Sequence, residues 1–194
     1  MRRACVVFLL LSTIGCAEPP SFVVGKPEPD AEFVPAADPA APFTLTDQDG
    51  KAFSSQELTG KVWLGAVFFS NCPGPCFREN QAIADILREI DDPAFMVVSL
   101  TCDPENDTPE VLRRYAERFD ADHGRWKFLT GDMATIERVG QGKLLLPTEV
   151  GVHAEKGVVF DRKGKLRGGY SLTDPDRAKL LKKLIREVLA DESP

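Results

Sequence analysis

The sequence predicts an α/β fold in which a sheet is flanked by helices and carries an added N-terminal β-hairpin. Short apolar runs that suit buried strands alternate along the chain with stretches whose apolar residues recur at helical spacing. Turn signals rich in Gly, Pro and Asp separate these segments. The stretch from residue 43 onward holds about 150 residues, which is the size of one domain with its own core.

The first half of this domain is predicted to run hairpin, strand, helix, strand. The hairpin turns at Asp49-Gly50, a dipeptide that favours tight β-turns. The next strand is almost continuously apolar, as expected in the middle of a sheet that is covered on both faces. The predicted elements are the hairpin over residues 43–53, a strand over 61–69, a helix over about 75–90 and a strand over 95–100.

The second half continues with helices and strands and ends in a helix. Thr108-Pro109 supplies a hydroxyl cap and a first-turn proline for the next helix, and Asp174-Pro175 begins the last one. Between them we predict a strand over residues 126–129, a short helix over 133–139, and a hairpin of strands 157–160 and 165–170. This order is thioredoxin-like, and ligands of open α/β sheets collect at the C-terminal ends of the strands.

Two cysteines lie four residues apart directly after the first long strand, in Cys72-Pro-Gly-Pro-Cys76. A helix start stabilises a thiolate, so we expect at least one of these thiols to titrate below the ~8.5 of an ordinary cysteine. Four helical residues rise about 6 Å and return to nearly the same face, so both sulfurs can approach one atom or form a disulfide. Such thiols either exchange with disulfides or hold a soft metal, and a structural disulfide is the plainer alternative.

A third cysteine, Cys102, follows the second long strand. If the two strands are parallel neighbours, their ends lie about 5 Å apart, so we expect Cys102 close to the pair, as a nearby thiol rather than a primary ligand. A buried, small apolar role is its alternative. Asp103 and Asp107 are expected to cap the following helix and organise its loop. His123 is expected to lie at a helix end, where a cation interacts favourably with the helix dipole. Alternatively, His123 or Cys102 could supply the fourth ligand that zinc prefers.

The N-terminus indicates export. A basic start precedes an apolar run too short to span a bilayer, and Gly15-Cys16 ends a stretch that resembles a bacterial lipobox. We predict a lipoprotein-type signal peptide over residues 1–15, lipidation of Cys16, a Pro-rich tether over 16–42 and the folded domain over 43–194. The alternative is a plain signal peptide. The expected location is the periplasmic side of a bacterial membrane, held by the lipid.

The formal net charge of −6 makes nucleic acid an unfavourable partner, because an acidic surface repels the phosphate backbone. No stretch of 18 or more apolar residues follows the export segment.

Several motifs together resemble the Sco/SenC family, the copper chaperones of cytochrome oxidase assembly. They are the opening hairpin, the strand with its Cys72-x-x-x-Cys76 loop, Asp103-Pro-Glu-Asn-Asp-Thr-Pro109, Phe128-Leu-Thr-Gly131, and His153 just before Gly157-Val-Val-Phe-Asp161. The resemblance covers residues 43–189. The chain departs from the family pattern at four positions, which are Phe77, Cys102, Asn106 and Val152.

The resemblance implies copper, as Cu(I) or Cu(II), bound by Cys72, Cys76 and His153, with the two cysteines also forming a redox pair. It implies cytochrome c oxidase subunit II, with its CuA centre, and a thiol reductant as partners. Two thiolates and one imidazole suit copper in particular. Any enzymatic activity would be thiol–disulfide reduction. The competing hypothesis is an exported thiol–disulfide oxidoreductase or thiol peroxidase without metal, which has no need of His153.

Overall fold

The computed structural model describes residues 41–152 and 154–191. The predicted signal peptide, Cys16, the tether up to residue 40 and His153 lie outside this range. Within the described residues, no helix combines the length and the apolar character needed to cross a bilayer.

The described chain alternates strands and helices in nearly the predicted order. The strands are β1 (Thr44–Thr46), β2 (Ala52–Ser54), β3 (Val62–Phe68), β4 (Phe95–Thr101), β5 (Trp126–Leu129), β6 (Lys156–Phe160) and β7 (Leu166–Ser171). The helices are α1 (Cys76–Glu89), α2 (Pro109–Glu117), α3 (Met133–Glu137) and α4 (Pro175–Ala190), with a 3-10 turn at Ser55–Leu58 and a π-helical segment at Arg138–Leu144.

Five strands form one mixed sheet in the order β5-β4-β3-β6-β7. β3, β4 and β5 are parallel, whereas β6 runs antiparallel to β3 and β7 antiparallel to β6. β1 and β2 form a separate antiparallel hairpin, which reaches the sheet through paired hydrogen bonds between Thr46 and Thr130. The predicted fold class, a sheet flanked by helices with an added N-terminal hairpin, is confirmed.

The central strand β3 shows why both faces of the sheet must be covered. Its side chains alternate, so Leu64 and Phe68 enter one hydrophobic cluster while Trp63 enters the other. The first cluster takes apolar side chains from α1, α2 and α4, and the second takes them from the hairpin, α3 and the π-helical segment. Trp63 stacks on Phe160 of the adjacent β6, with ring centroids 4.1 Å apart.

The π-helical segment was not predicted, because the sequence indicated only a short helix over 133–139. Its path depends on two close approaches. A Cβ atom at Gly140 would lie 2.2 Å from Thr148 Cγ2, and one at Gly65 would lie 2.6 Å from Leu144 Cδ2. Because glycine has no side chain at these two positions, the segment can pack directly on the sheet and on the loop that follows. The segment ends at Leu145, which has φ +57°.

Candidate dithiol site

The two cysteines of the Cys-x-x-x-Cys motif lie between the central strand and the first helix. Cys72 is half-buried in the loop after β3. Cys76 is the first residue of α1, and its side chain is buried. Among the described residues, neither forms a disulfide, and the buried Cys102 does not form one either. The pair therefore lies at the C-terminal edge of the parallel strands, where the sequence predicted a site.

The ends of β3 and β4 bring the three cysteines together. Cys102 N–H donates to Phe68 O at 2.9 Å, and Cys72 N–H donates to Phe69 O at 3.3 Å. A backbone hydrogen bond also joins Phe69 to the Cys76 sulfur. All three cysteines are thus hydrogen-bonded to Phe68 or Phe69, and they pack in one hydrophobic cluster. This arrangement supports the expected proximity of Cys102 to the pair.

Burial dominates the ionisation of the buried thiols. It raises the pKa of Cys76 strongly, and the hydrogen bond with Cys72 and the negative charge of Glu79 add to the rise, against the opposing Phe69 hydrogen bond. The sequence led us to expect a lowered thiol pKa at the helix start. At Cys76 the loss of hydration outweighs the helix dipole, whose effect near a helix end is worth about 1 kcal/mol or less.

The pKa of Cys102 is also raised, to about 11, mainly by burial and further by the negative charges of Asp107 and Asp103. Cys72 contributes to the same rise, so its sulfur lies within electrostatic range of Cys102. At neutral pH Cys102 therefore remains a neutral thiol.

Asp107 joins the ends of β3 and β4. Its fully buried carboxylate accepts hydrogen bonds from the Ser70 amide at 3.1 Å, from the Ser70 hydroxyl and from the Thr101 hydroxyl. Of the three residues expected to cap the next helix, Thr108 is the observed cap, since its hydroxyl accepts from Val111 N, and the expectation for Asp103 and Asp107 was wrong. A buried carboxylate here is stable because three donors replace its lost water.

Asp103 organises the same loop from its exposed side. Both of its carboxylate oxygens accept from Asn106 Nδ2 at 3.0 Å, and its backbone carbonyl accepts from Asp107 N at 2.8 Å. The Asp103 carboxylate is therefore engaged with its own loop.

A buried polar chain fixes the first turn of α1 against the sheet. Trp126 Nε1 donates to Ser99 Oγ at 2.9 Å, Ser99 Oγ donates to Asn80 Oδ1 at 3.3 Å, and Asn80 Nδ2 donates to the Cys76 carbonyl at 2.8 Å. The first two links connect β5 to β4 and β4 to α1, and the third lies within the first turns of α1. The sequence signal that could have revealed this chain is an asparagine on the apolar face of a helix.

Glu79 is the site residue that the sequence analysis missed. It lies one turn after Cys76, is only 3% exposed, and its Oε1 has no hydrogen-bond donor among the described residues. Burial raises the pKa of Glu79 to about 7, the negative charge of Glu155 adds to the rise, and Arg78 opposes it. The available signal was its spacing, because Glu79 falls four residues before the buried Ile83.

The remaining residues singled out from the sequence contact other groups or lie outside the described chain. Phe77 is 40% exposed and lies beneath the Arg118 guanidinium, which is 4.7 Å from the ring centroid. His123 Nδ1 is 2.9 Å from Asp49 Oδ1 at the hairpin turn, so its partner belongs to another part of the domain. Within residues 41–152 and 154–191, no three His, Cys, Asp or Glu side chains are grouped to hold a metal ion.

A mixed sheet with a Cys-x-x-x-Cys pair at the end of its central strand identifies a thioredoxin-like protein with a dithiol site. Sequence comparison gives the family. The chain belongs to the SCO1/SenC family, whose model matches residues 34–188. A curated relative, the SCO1 protein homolog of Bacillus subtilis strain 168, is 35% identical over 92 residues, which are 46% of this chain and 48% of that protein. The match therefore spans about half the length of that relative.

Solved structures show the same fold. Bradyrhizobium japonicum ScoI with copper bound has a TM-score of 0.63 at 27% identity, covering 76% of this chain and 98% of that one. BsSco, a member of the Sco family of cytochrome c oxidase assembly proteins in which a disulfide switch has been identified, has a TM-score of 0.69 at 24% identity, covering 78% and 94%.

Proposed function

We propose that this protein is a membrane-tethered copper metallochaperone that supplies the CuA centre of cytochrome c oxidase. The observation that carries the proposal is the Cys72–Cys76 pair, placed on a SCO1/SenC domain at the C-terminal edge of the parallel strands. The copper bound by B. japonicum ScoI and the description of the Sco family as cytochrome c oxidase assembly proteins support it.

Copper would be held by Cys72, Cys76 and His153. Two sulfur donors and one nitrogen donor form a soft, low-coordinate site that suits Cu(I) and can also accept Cu(II). Because burial keeps the pKa of Cys76 high, that thiol must lose its proton as the metal binds, so copper uptake releases protons and weakens as the pH falls. The half-buried Cys72 provides the route by which copper enters and leaves.

The same pair could reduce the cysteines of the target before copper is delivered. The Cys72 thiolate would attack a target disulfide and release one target thiolate, leaving a mixed disulfide. Cys76 would then attack the Cys72 sulfur, release the second target thiol and leave a Cys72–Cys76 disulfide. An external thiol reductant would restore the pair. The partial exposure of Cys72 and the burial of Cys76 fit this order of attack.

The proposed partner is subunit II of the oxidase, and the proposed anchor is a lipid on Cys16. The Pro-rich tether over residues 16–42 would let the domain reach that partner from the membrane surface. A thiol–disulfide oxidoreductase without metal is the second candidate, favoured only by the hydrogen bond between the two thiols.

Copper titration of single variants tests the ligand set. His153→Ala should sharply weaken Cu(II) binding while Cu(I) survives in part on the two thiolates, and Cys72→Ala or Cys76→Ala should abolish both. His123→Ala is the matched control, because this second histidine contacts Asp49 and should leave copper binding unchanged. Equal retention of both oxidation states in His153→Ala and wild type would refute the three-ligand site. Full Cu(I) binding by either cysteine variant would point to Cys102.

A further inference from the structure

The residue that directly follows the dithiol, Phe77, has an aromatic ring that the fold leaves partly in solvent. The Phe77 side chain is 40% exposed, although it rests on the buried Phe119 with ring centroids 5.2 Å apart. Phe77 is also one of the four positions at which the chain departs from the family pattern. A single exposed ring is common on protein surfaces, so the charged groups around Phe77 decide what it can bind.

Arg118 extends its guanidinium over this ring. The guanidinium carbon is 4.7 Å from the ring centroid of Phe77 and 5.5 Å from that of Tyr115. A cation–π contact uses the face of the guanidinium and leaves the N–H groups at its edge able to donate. Among the described residues, none accepts a hydrogen bond from the Arg118 side chain. Arg118 is therefore held against two rings while its hydrogen-bond donors stay available.

The two arginines within α2 itself differ from Arg118, because both have carboxylate partners. Arg113 Nη1 is 2.8 Å from Glu117 Oε1, and Arg114 Nη1 is 3.6 Å from Glu110 Oε1. Acidic residues outnumber basic ones in this chain by 30 to 24, so a shortage of carboxylates does not explain the arginine that lacks one. The available donors of Arg118 are a local feature of the surface around Phe77.

A second arginine flanks Phe77 from the side of a groove. Arg78 lines this groove of about 440 Å³ together with Phe77 and Leu172, which give it apolar walls. Arg78 forms no ion pair with any residue that the structure describes. The acidic residue of the groove, Asp85, is engaged in an ion pair one turn further along α1. Phe77, Arg78 and Arg118 form a surface that we call the aromatic–arginine patch.

Two connections place this patch next to the dithiol. Phe77 directly follows Cys76 in the first turn of α1. Burial raises the pKa of Tyr115, and the charges of Cys76 and Cys72 add to the rise. Both sulfurs therefore lie within electrostatic range of a ring that Arg118 covers. A molecule whose cysteine reacts with the half-buried Cys72 would bring its neighbouring residues to the patch.

The patch combines an exposed apolar ring with two cations, which suits an anion that has an apolar neighbour. A carboxylate side chain fits this surface, because the edge of a guanidinium binds a carboxylate through two parallel hydrogen bonds. An anionic membrane or a nucleic acid fits less well, because the formal net charge of −6 repels an extended negative surface. The chemistry of the patch therefore favours an acidic and partly apolar stretch of polypeptide.

We propose that the aromatic–arginine patch docks a target polypeptide that carries an aspartate or glutamate and an apolar side chain close to its reactive cysteine. The carboxylate binds the two guanidinium groups, and the apolar side chain packs on Phe77 and along the groove. Docking in this way presents the target cysteine to Cys72. The inference rests on the proposed function, because it assumes that the dithiol acts on a cysteine of another protein.

The first test traps the contact as a mixed disulfide in the full chain. In Cys76→Ser, the Cys72 thiolate attacks a peptide disulfide, releases its small thiol cap and retains the peptide. Two synthetic peptides compete, each with a leucine beside its cysteine, and they differ only in a nearby glutamate or glutamine. Mass spectrometry of the tryptic fragment that contains Cys72 measures the capture. The glutamate peptide should be captured about 2- to 5-fold more often, which is the effect of one exposed ion pair.

Arginine variants separate this preference from the intrinsic reactivity of the peptides. In the Cys76→Ser background, Arg118→Gln removes the cation and should lower the ratio of captured glutamate to glutamine peptide about 2- to 5-fold. High salt should lower the ratio in the same way, because it screens exposed charges. Arg113→Gln is the matched control, since this exposed arginine of α2 is engaged with Glu117 and should leave the ratio unchanged. The same ratio in both arginine variants would overturn the proposal.

The second test requires no reaction at the dithiol. In nitrogen-15 NMR of the wild-type chain, the Nε–H signal of Arg118 should shift when the glutamate peptide is added with serine in place of its cysteine. The matching glutamine peptide should leave the signal in place. No shift with the glutamate peptide would overturn the proposal, and a shift on concentrating the protein alone would identify a second copy of this chain as the occupant instead.

The two tests together distinguish the docking surface from the proposed function. A shift of the Arg118 signal, combined with no capture of either peptide at Cys72, would show that the surface docks acidic peptides while the proposed reaction with target cysteines fails. Capture of both peptides without any preference, combined with no shift, would leave the reaction intact and overturn the docking surface.

Discussion

The pKa values of single residues near the dithiol follow from their burial rather than from their position at the start of a helix. Cys76 begins α1, where the helix dipole favours a thiolate, yet burial raises its pKa. Glu79 lies in the same first turn, where a negative charge is also favoured, yet its pKa rises to about 7. In both cases a lost hydration shell costs several kcal/mol, which exceeds the dipole contribution of about 1 kcal/mol.

The raised pKa of Glu79 makes folding stability depend on pH. The folded chain binds this proton more tightly than the unfolded chain, whose glutamates titrate near 4.5. The stabilisation is therefore fully present below pH 4.5 and is lost as the pH rises through about 7. Its full size is about 3 kcal/mol, given that one pKa unit corresponds to about 1.4 kcal/mol.

Urea unfolding of metal-free wild type and Glu79→Gln, at pH 4.5 and at pH 8, measures this contribution. The difference in unfolding free energy between the two proteins should change by about 2–3 kcal/mol between these pH values, with wild type relatively weaker at pH 8. A constant difference between the two pH values would mean that the pKa of Glu79 is the same in the folded and the unfolded chain.

At the scale of elements, the site depends on how two parallel strands end. β3 and β4 are in register up to Phe68 and Thr101, and the loops beyond them carry Cys72 and Cys102. Asp107 fastens these ends together through Ser70 and Thr101. The dithiol loop is therefore held by a contact that lies outside the Cys-x-x-x-Cys motif itself.

Replacing Asp107 should loosen this junction. Asp107→Ala leaves the buried Thr101 hydroxyl without its acceptor, so we expect a loss of about 2–4 kcal/mol in unfolding free energy, measured by urea denaturation. Asp107→Asn keeps one acceptor oxygen and should lose about half as much. Asp103→Ala, in the same loop but on its exposed side, is the control and should change stability by no more than about 1 kcal/mol. A similar loss for all three variants would argue against a specific role for the Asp107 carboxylate.

Much of this architecture could be predicted from sequence because it follows simple periodicities. The continuous apolar run of β3 predicted a central strand, and helical spacing predicted α1. The π-helical segment could not be predicted, because it depends on the packing of Leu144 over Gly65, a contact between residues far apart in the chain. The burial of Glu79 follows from how α1 lies on the sheet, which hydrophobic periodicity alone does not specify for a charged residue.

At the scale of the whole molecule, the domain is expected to act from a membrane anchor. Cys16→Ser should prevent lipidation and move the protein from the membrane fraction to the aqueous fraction, because loss of the lipid removes the hydrophobic attachment. Cell fractionation together with metabolic labelling by palmitate measures both effects. Cys5→Ser, within the predicted signal peptide, is the control and should leave the lipid in place. Membrane retention of an unlabelled Cys16→Ser protein would show that another segment provides the anchor.

The central claim is that one copper ion is bound by Cys72, Cys76 and His153. X-ray absorption of the full chain loaded with copper, with the stoichiometry measured on the same sample, tests this claim most directly. We predict one copper per chain, with two sulfur neighbours and one nitrogen neighbour from imidazole, and loss of the imidazole scattering in His153→Ala. A first shell of three sulfur atoms, or no copper retained by the reduced protein, would contradict it.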